Sequence, residues 1–297
     1  IKTISDLFKM HNNGKYIVLN DLDFRNTGSV YSPAFYGNID FQGHSVYMSA
    51  RTGASYLFHT IASTGIVMNV DLRIYLDNTI EKSYWYGLNY SNNGKIQNIM
   101  VTIEEATEFP NILFNTVSYT SSGTIENFVV NSKVSIYGER YFSLVVTHNY
   151  GIMRNGYVYG EPIKATFNNS TTNAKRVGTV AAYTGSNSKI ENVFSLVTIE
   201  TPLEGSNNKQ FGIIVGESNR GLIENVYSVG DLINTNTSGD PNVGYVSSMV
   251  NPTNLFYSSK KIYNTNYSQK VSSIALHDSD FQKNALNNAN GFVIDGL

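Results

Sequence analysis

The chain is 297 residues long, with 21 Lys and Arg against 23 Asp and Glu and a formal net charge of −2. That length suits two ordinary domains or one elongated one, and the even charge balance gives no electrostatic reason to expect nucleic acid or an anionic membrane as partner. The absence of cysteine excludes disulfides, Cys-ligated zinc and a Cys nucleophile together, while 21 Tyr and 15 Phe beside a single Trp, among many Val, Ile, Thr and Asn, point to strands and turns.

At the N-terminus, "IKTISDLFKM" spaces Ile4, Leu7, Phe8 and Met10 for one short amphipathic helix. A turn at Asn13-Gly14 and the strand "YIVLNDLDF" follow. No charged-then-apolar leader precedes them, the first residue is not Met, and no apolar run has the length of a membrane span. The expectation is a piece cut from a larger polypeptide. Asp21 and Asp23, two apart on that strand, would share a face and could hold Ca²⁺; a solvated strand face or cap is the more economical reading.

From residue 65 onward the chain repeats. "GIVMNV" holds Asn69, "GKIQNI" Asn98, "GTIENF" Asn127, "GIMRNG" Asn155, "SKIENV" Asn192 and "GLIENV" Asn225, with a degraded copy, "PTNLF", at Asn254. By subtraction the intervals are 29, 29, 28, 37, 33 and 29, and the two long ones contain the polar, loop-like inserts 167–176 and 203–210. A short apolar strand and a polar turn precede each asparagine, and a second strand follows most of them. Such a unit is too short to hold a helix as well as its strands and cannot bury its own face, whereas stacked copies can. The fold expected is an all-β, right-handed parallel β-helix of roughly seven or eight coils, about 35–40 Å long at the ordinary strand spacing. A propeller would need a longer period.

The asparagine has a place in that fold. On a straight strand Ile223 and Val226 would face opposite ways, and both can point inward only if the chain turns a corner at Asn225. Asparagine tolerates the left-handed backbone region, and stacked amides can hydrogen-bond as a ladder. Asn69, Asn98, Asn127, Asn155, Asn192 and Asn225 are therefore read as a structural ladder rather than as catalytic groups. The last segment, "SIALHDSDFQKNALNNANGFVIDGL", breaks the period, and its "DSDFQKNAL" suits a short helix N-capped by Asp278 or Ser279. The expected layout is an N-terminal cap and first strand at 1–34, the coils of a single domain at 35–264 and a C-terminal cap at 265–297, the caps preventing edge-to-edge pairing.

No catalytic set emerges. Glu104 and Glu105 are adjacent and on a strand would face opposite ways; Asp71 and Asp77 are a further pair that sugar chemistry could use. His11, His44, His59, His148 and His277 include no pair at the spacing of two zinc ligands on one helix face. The expectation is no catalytic residue, no metal site and no cofactor in this chain. Sequons at Asn89, Asn169, Asn236 and Asn266 are no more than so Asn-rich a chain gives by chance. The aromatic clusters "SYWYGLNY" (83–90) and "IYGERYF" (136–142) are better functional clues. An inward Tyr needs a hydrogen-bond partner, so some rings should face out, and Tyr84, Trp85, Tyr86, Tyr137 and Tyr141 are the candidate surface for protein or glycan binding. The competing reading has Trp85 and its neighbours covering an edge or loop base.

The order of "ISDLFKM…GKYIVLNDLDF" (4–24), "FYGNIDFQGHSVYM" (35–48), the Gly-x-Ile-x-Asn coils and "LHDSDFQ…GFVID" (276–295) resembles the N-terminal region of streptococcal-type immunoglobulin A1-specific zinc metallopeptidases and their relatives, across essentially the whole chain. "FGIIVG" (211–216) is similar to the GLUG repeat. The resemblance implies a secreted, cell-wall-attached Gram-positive virulence factor, a hydrolase whose separate C-terminal domain carries a His-Glu-x-x-His zinc site that this chain lacks. It also implies partners: a glycoprotein substrate such as immunoglobulin A1 or a mucosal protein, and the other domains of the parent. The role expected is substrate positioning or spacing, with a glycan-binding or glycan-cleaving β-helix (polysaccharide lyase-like) or a plain surface adhesin as alternatives.

Overall fold

The computed structural model describes residues 1–27, 30–49, 56–76, 84–106, 111–165, 175–201 and 209–234, and the short strands 242–243, 253–257 and 269–270. The asparagines turn the chain where the sequence places corners. Asn69, Asn98, Asn127, Asn155, Asn192 and Asn225 all have left-handed backbones, with φ between 52° and 57°. Each lets the apolar residues on its two sides face inward: Ile223 is 1% exposed and Val226 is fully buried. Because every coil repeats the turn, Val67, Ile96, Ile125, Met153, Ile190 and Ile223 fall in one register column and form a buried stack.

Three parallel sheets result, so the fold is a nearly all-β parallel solenoid. A 12-stranded sheet carries the long strands that contain the corner asparagines, from Ile66–Leu76 through Lys95–Ala106, Thr124–Ser132, Ile152–Gly160 and Lys189–Ser195 to Leu222–Ser228. A 7-stranded sheet takes one strand from each successive coil, and a 9-stranded sheet closes the third side. Partners in the long sheet are separated by 29, 29, 28, 37 and 33 residues, the intervals of the sequence repeat. The inserts do not disturb this register, because each falls between two strands of the 9-stranded sheet, after Ile163–Ala165 and after Ile199–Thr201. Their ends are shorter than the sequence suggests. Lys175 and Arg176 belong to the strand Lys175–Val177, and Lys209 and Gln210 to Lys209–Phe211, because both segments pair in register across the coils.

Two polar stacks hold the corners. The asparagine ladder runs from Asn98 Nδ2 to Asn69 Oδ1 (2.9 Å), Asn127 to Asn98 (2.9 Å), Asn155 to Asn127 (3.1 Å), Asn192 to Asn155 (3.2 Å) and Asn225 to Asn192 (3.4 Å). Its N-terminal end is closed by Asp40, whose carboxylate accepts from Asn69 Nδ2 at 2.8 Å. The second stack, at the corner between the 7-stranded and long sheets, comprises the buried Asn92, Ser121, Asn149, Thr184 and Ser218. Asn92 Nδ2 donates to Ser121 Oγ at 3.1 Å, and Thr184 Oγ1 to Ser218 Oγ at 2.8 Å. Glycines follow in the same turn because the coils nearly touch there: a Cβ on Gly123 would lie 2.0 Å from the Gly94 carbonyl oxygen.

The N-terminal cover is the helix α1 (Ile4–Phe8), with Thr3 as N-cap and Asp6 completing a capping box. Leu7 is fully buried, and Phe8 meets Phe24 edge-on at 6.2 Å. The expected C-terminal cap at 265–297 lies outside the described residues apart from the strand Gln269–Lys270.

Candidate functional site

The outer face of the long sheet is already committed to ion pairs. Glu126 lies between Lys95 (2.5 Å) and Arg154 (2.6 Å), Lys189 between Glu191 (2.5 Å) and Glu224 (2.6 Å), and Glu104 between Arg73 (2.8 Å) and Lys133 (2.6 Å). Burial alone would raise the Glu104 carboxyl, but Lys133 and Arg73 outweigh it and hold the group below the usual range. That is the opposite of what a general acid needs, so Glu104 acts as an electrostatic link between coils. Asp71 is likewise bound to Arg73 at 3.0 Å, and Asp77 lies outside the described residues.

The other isolated candidates resolve in the same way. Asp21 accepts from Ser45 N (2.9 Å) and faces His44 Nδ1 (3.2 Å), whereas Asp23 binds Arg25 at 2.7 Å. The two carboxylates thus serve different partners. Among the described residues no three His, Asp or Glu gather as a metal site. Asn89 is fully buried, so its sequon is closed to glycosylation in the folded chain; Asn169, Asn236, Asn266, His277, Asp278 and Asp280 lie outside the described residues.

The aromatic candidates separate. Trp85 is 1% exposed and does not belong to any binding surface. The strand Tyr84–Trp85 alternates, so Tyr84 faces out (49% exposed) and Trp85 faces the core, in register with Phe114. Tyr137 lies on the outer side of the 9-stranded sheet, with Lys164 Nζ 5.5 Å from its ring centroid. Tyr86 and Tyr141 join something larger.

A ribbon of rings runs along the 7-stranded sheet across five consecutive coils. Tyr56 meets His59 at 5.7 Å, and His59 stacks on Tyr90 at 5.4 Å. Tyr90 stacks on Tyr119 at 5.0 Å, with Tyr86 against both at 5.1 and 5.0 Å. Tyr119 meets His148 at 5.1 Å, and His148 contacts Tyr141 (5.2 Å) and Tyr183 (5.9 Å), beyond which lies Tyr150. These spacings follow from the coil rise near 4.8 Å, and each contact is worth roughly 0.5–1.5 kcal/mol beyond its burial. Most of these rings are half-buried, and Tyr150 and His59 are exposed. Of the five candidates named from the sequence only Tyr86 and Tyr141 belong to it, although the cluster 83–90 also holds Tyr90.

The upper end of the ribbon is cationic. Arg176 lies 5.2 Å from the Tyr141 centroid and 5.1 Å from that of Tyr183. Its Nη1 donates to the Tyr141 hydroxyl at 2.8 Å, and its charge is paired with Glu217. Arg140 lies 5.1 Å from the same Tyr141 centroid. Burial, with the neighbouring tyrosines, pushes the Tyr86 phenol up to about 12, so it remains a hydrogen-bond donor at neutral pH. Burial, then the Arg176 charge, pushes His148 down to about 4. The unfolded chain therefore binds a proton at this histidine that the folded chain refuses between pH about 6.5 and about 4. Stability is expected to fall as pH drops through that window, and His148→Phe, which keeps a ring in place, is expected to flatten this part of a melting-temperature profile.

No family model matches the chain, and no curated protein does. Solved structures do. One is a candidate immunoglobulin A1 protease from Bacteroides ovatus, with a TM-score of 0.54 at 14% identity over 96% of this chain and 86% of that one. Another is an IgA1 protease, with a TM-score of 0.56 at 15% identity over 97% of this chain and 24% of that one, so this chain spans about a quarter of its length. At these identities what is shared is the solenoid fold.

Proposed function

We propose that this chain is a non-catalytic β-solenoid domain of a secreted protease of the immunoglobulin A1 protease type, and that it holds a glycoprotein substrate on its aromatic ribbon. The observation that carries the reading is the ribbon itself, a rigid row of tyrosines and histidines facing solvent along one side of the solenoid. Tyrosine supplies large amphipathic contact area at low conformational cost. The neighbouring rings already fix one another, so little entropy remains to be lost on binding. Fold likeness to two immunoglobulin A1 protease-type chains supports the parent assignment. In that parent the zinc and the peptide-bond chemistry belong to a separate domain, and binding far from the scissile bond would serve by fixing the substrate's pose. A cell-wall location follows from the same reading.

The test uses the 297-residue chain against immobilised immunoglobulin A1 and other mucosal glycoproteins. Micromolar binding is expected, reduced at least about tenfold by the double variant Tyr90→Ala/Tyr119→Ala, the loss expected when two aromatic contacts go. Absence of binding at high micromolar concentration would leave only a spacer, and binding untouched by the double variant would move the site elsewhere.

A further inference from the structure

We propose that the upper end of the ribbon binds a carboxylate-bearing oligosaccharide, with Arg140 receiving the carboxylate. This rests on the substrate-holding reading above and names the chemistry that the ribbon recognises. The starting observation concerns charge. Arg73, Arg154 and Arg176 each meet a carboxylate. Arg140 has no carboxylate partner among the described residues, and its Nε is shielded from solvent without a hydrogen-bond acceptor. A guanidinium N–H shielded from water without a partner is costly. Arg140 is nevertheless fixed against a ring already engaged by Arg176. Because Glu217 balances Arg176, the positive charge of Arg140 remains available to a ligand.

The surroundings favour a sugar over a peptide strand. On this face the backbone groups already pair with the coils on either side, as in Thr120 with Ser91 and His148, so a peptide cannot add as a strand. What faces outward is a set of ring edges and phenol groups from Tyr119, Tyr141 and Tyr183, packed around the neutral, largely buried imidazole of His148. Such groups exchange hydrogen bonds with hydroxyls while their edges pack on C–H surfaces. A planar guanidinium beside them is the group best shaped for a carboxylate.

The experiment titrates the 297-residue chain with oligogalacturonate, hyaluronan fragments and sialyllactose, each alongside its methyl-esterified neutral form, and with oligoglutamate. At least one acidic sugar is expected to bind roughly tenfold or more tighter than its ester, the scale of one charged hydrogen bond, with the difference shrinking in high salt. Arg140→Gln is expected to abolish the difference while the melting temperature stays near that of the parent; Arg140→Lys should retain part of it. Equal binding of acid and ester, no binding of any acidic sugar, or tighter binding of oligoglutamate would each overturn the proposal. A glycoprotein that binds the ribbon equally well after its glycans are removed would also overturn it, while leaving the substrate-holding reading intact.

Discussion

Trp85→Ala is expected to cost about 3–5 kcal/mol, the scale of a large aromatic truncated in a core that cannot close around the gap. The indole starts an inward stack in which Trp85 is in register with Phe114, Phe114 lies 5.0 Å from Phe142 with the rings 16° from parallel, and Val177 and Phe211 continue above. The backbones on either side are tied by strand pairing, so relaxation is restricted. In a solenoid each coil leans only on its neighbours, and the damage should appear first as opening of the coils around residues 85–114. Thermal melting followed by circular dichroism measures the cost, and hydrogen exchange locates it. As the only tryptophan in the chain, Trp85 also reports on itself: native emission should be blue-shifted and poorly quenched by acrylamide. Red-shifted, readily quenched emission from the folded chain would put the ring back on the surface.

Asn127→Ala is expected to cost about 3–4 kcal/mol, from two amide hydrogen bonds of about 1 kcal/mol each and the left-handed backbone that alanine adopts only at a further cost of roughly 1–2 kcal/mol. Asn127 donates to Asn98 at 2.9 Å, accepts from Asn155 at 3.1 Å and has φ 55°. Asn127→Gly separates the two contributions, because glycine accepts this φ and loses only the amide bonds. It should therefore melt between the parent and the alanine variant. Asn225 has the same left-handed backbone, φ 52°, but donates to Asn192 at a longer 3.4 Å, and its alanine variant should lose less, about 2–3 kcal/mol, with ligand binding unchanged. Equal losses at both positions would mean that position within the ladder does not matter.

The solenoid and its corner stack were readable from the chain because one residue type in one conformation recurs in every coil. The pattern Ile-x-Asn-apolar states the corner directly: residues three apart face opposite ways on a straight strand, so both can be inward only if the chain turns between them. The second stack was not readable, because Asn92, Ser121, Asn149, Thr184 and Ser218 share only small size and a hydrogen-bonding group. The ribbon was missed for a different reason. His59, Tyr90 and Tyr119 share one register column, but the contacts then cross to the column of His148 and Tyr183. The distance in sequence from each ring to the next corner asparagine therefore changes from coil to coil. The signal that could have found it is a large aromatic or His just before the polar turn of each coil. Trp85 was misplaced because a dense aromatic cluster does not state its phase, and the alternation of Tyr84 and Trp85 is fixed only by pairing with Leu113 and Phe114.

The two large insertions both fall within the side closed by the 9-stranded sheet, after Ile163–Ala165 and Ile199–Thr201 and before the next strand of that same sheet. The molecule is therefore built like a bound book, with a fixed spine at the asparagine corner and one margin along which pages of different width project. Residues can be gained or lost at that margin by the handful without re-registering a single neighbour. A lineage carrying this domain can thus rewrite one rim freely, while the aromatic face, set on strands of nearly constant length, is inherited as a unit.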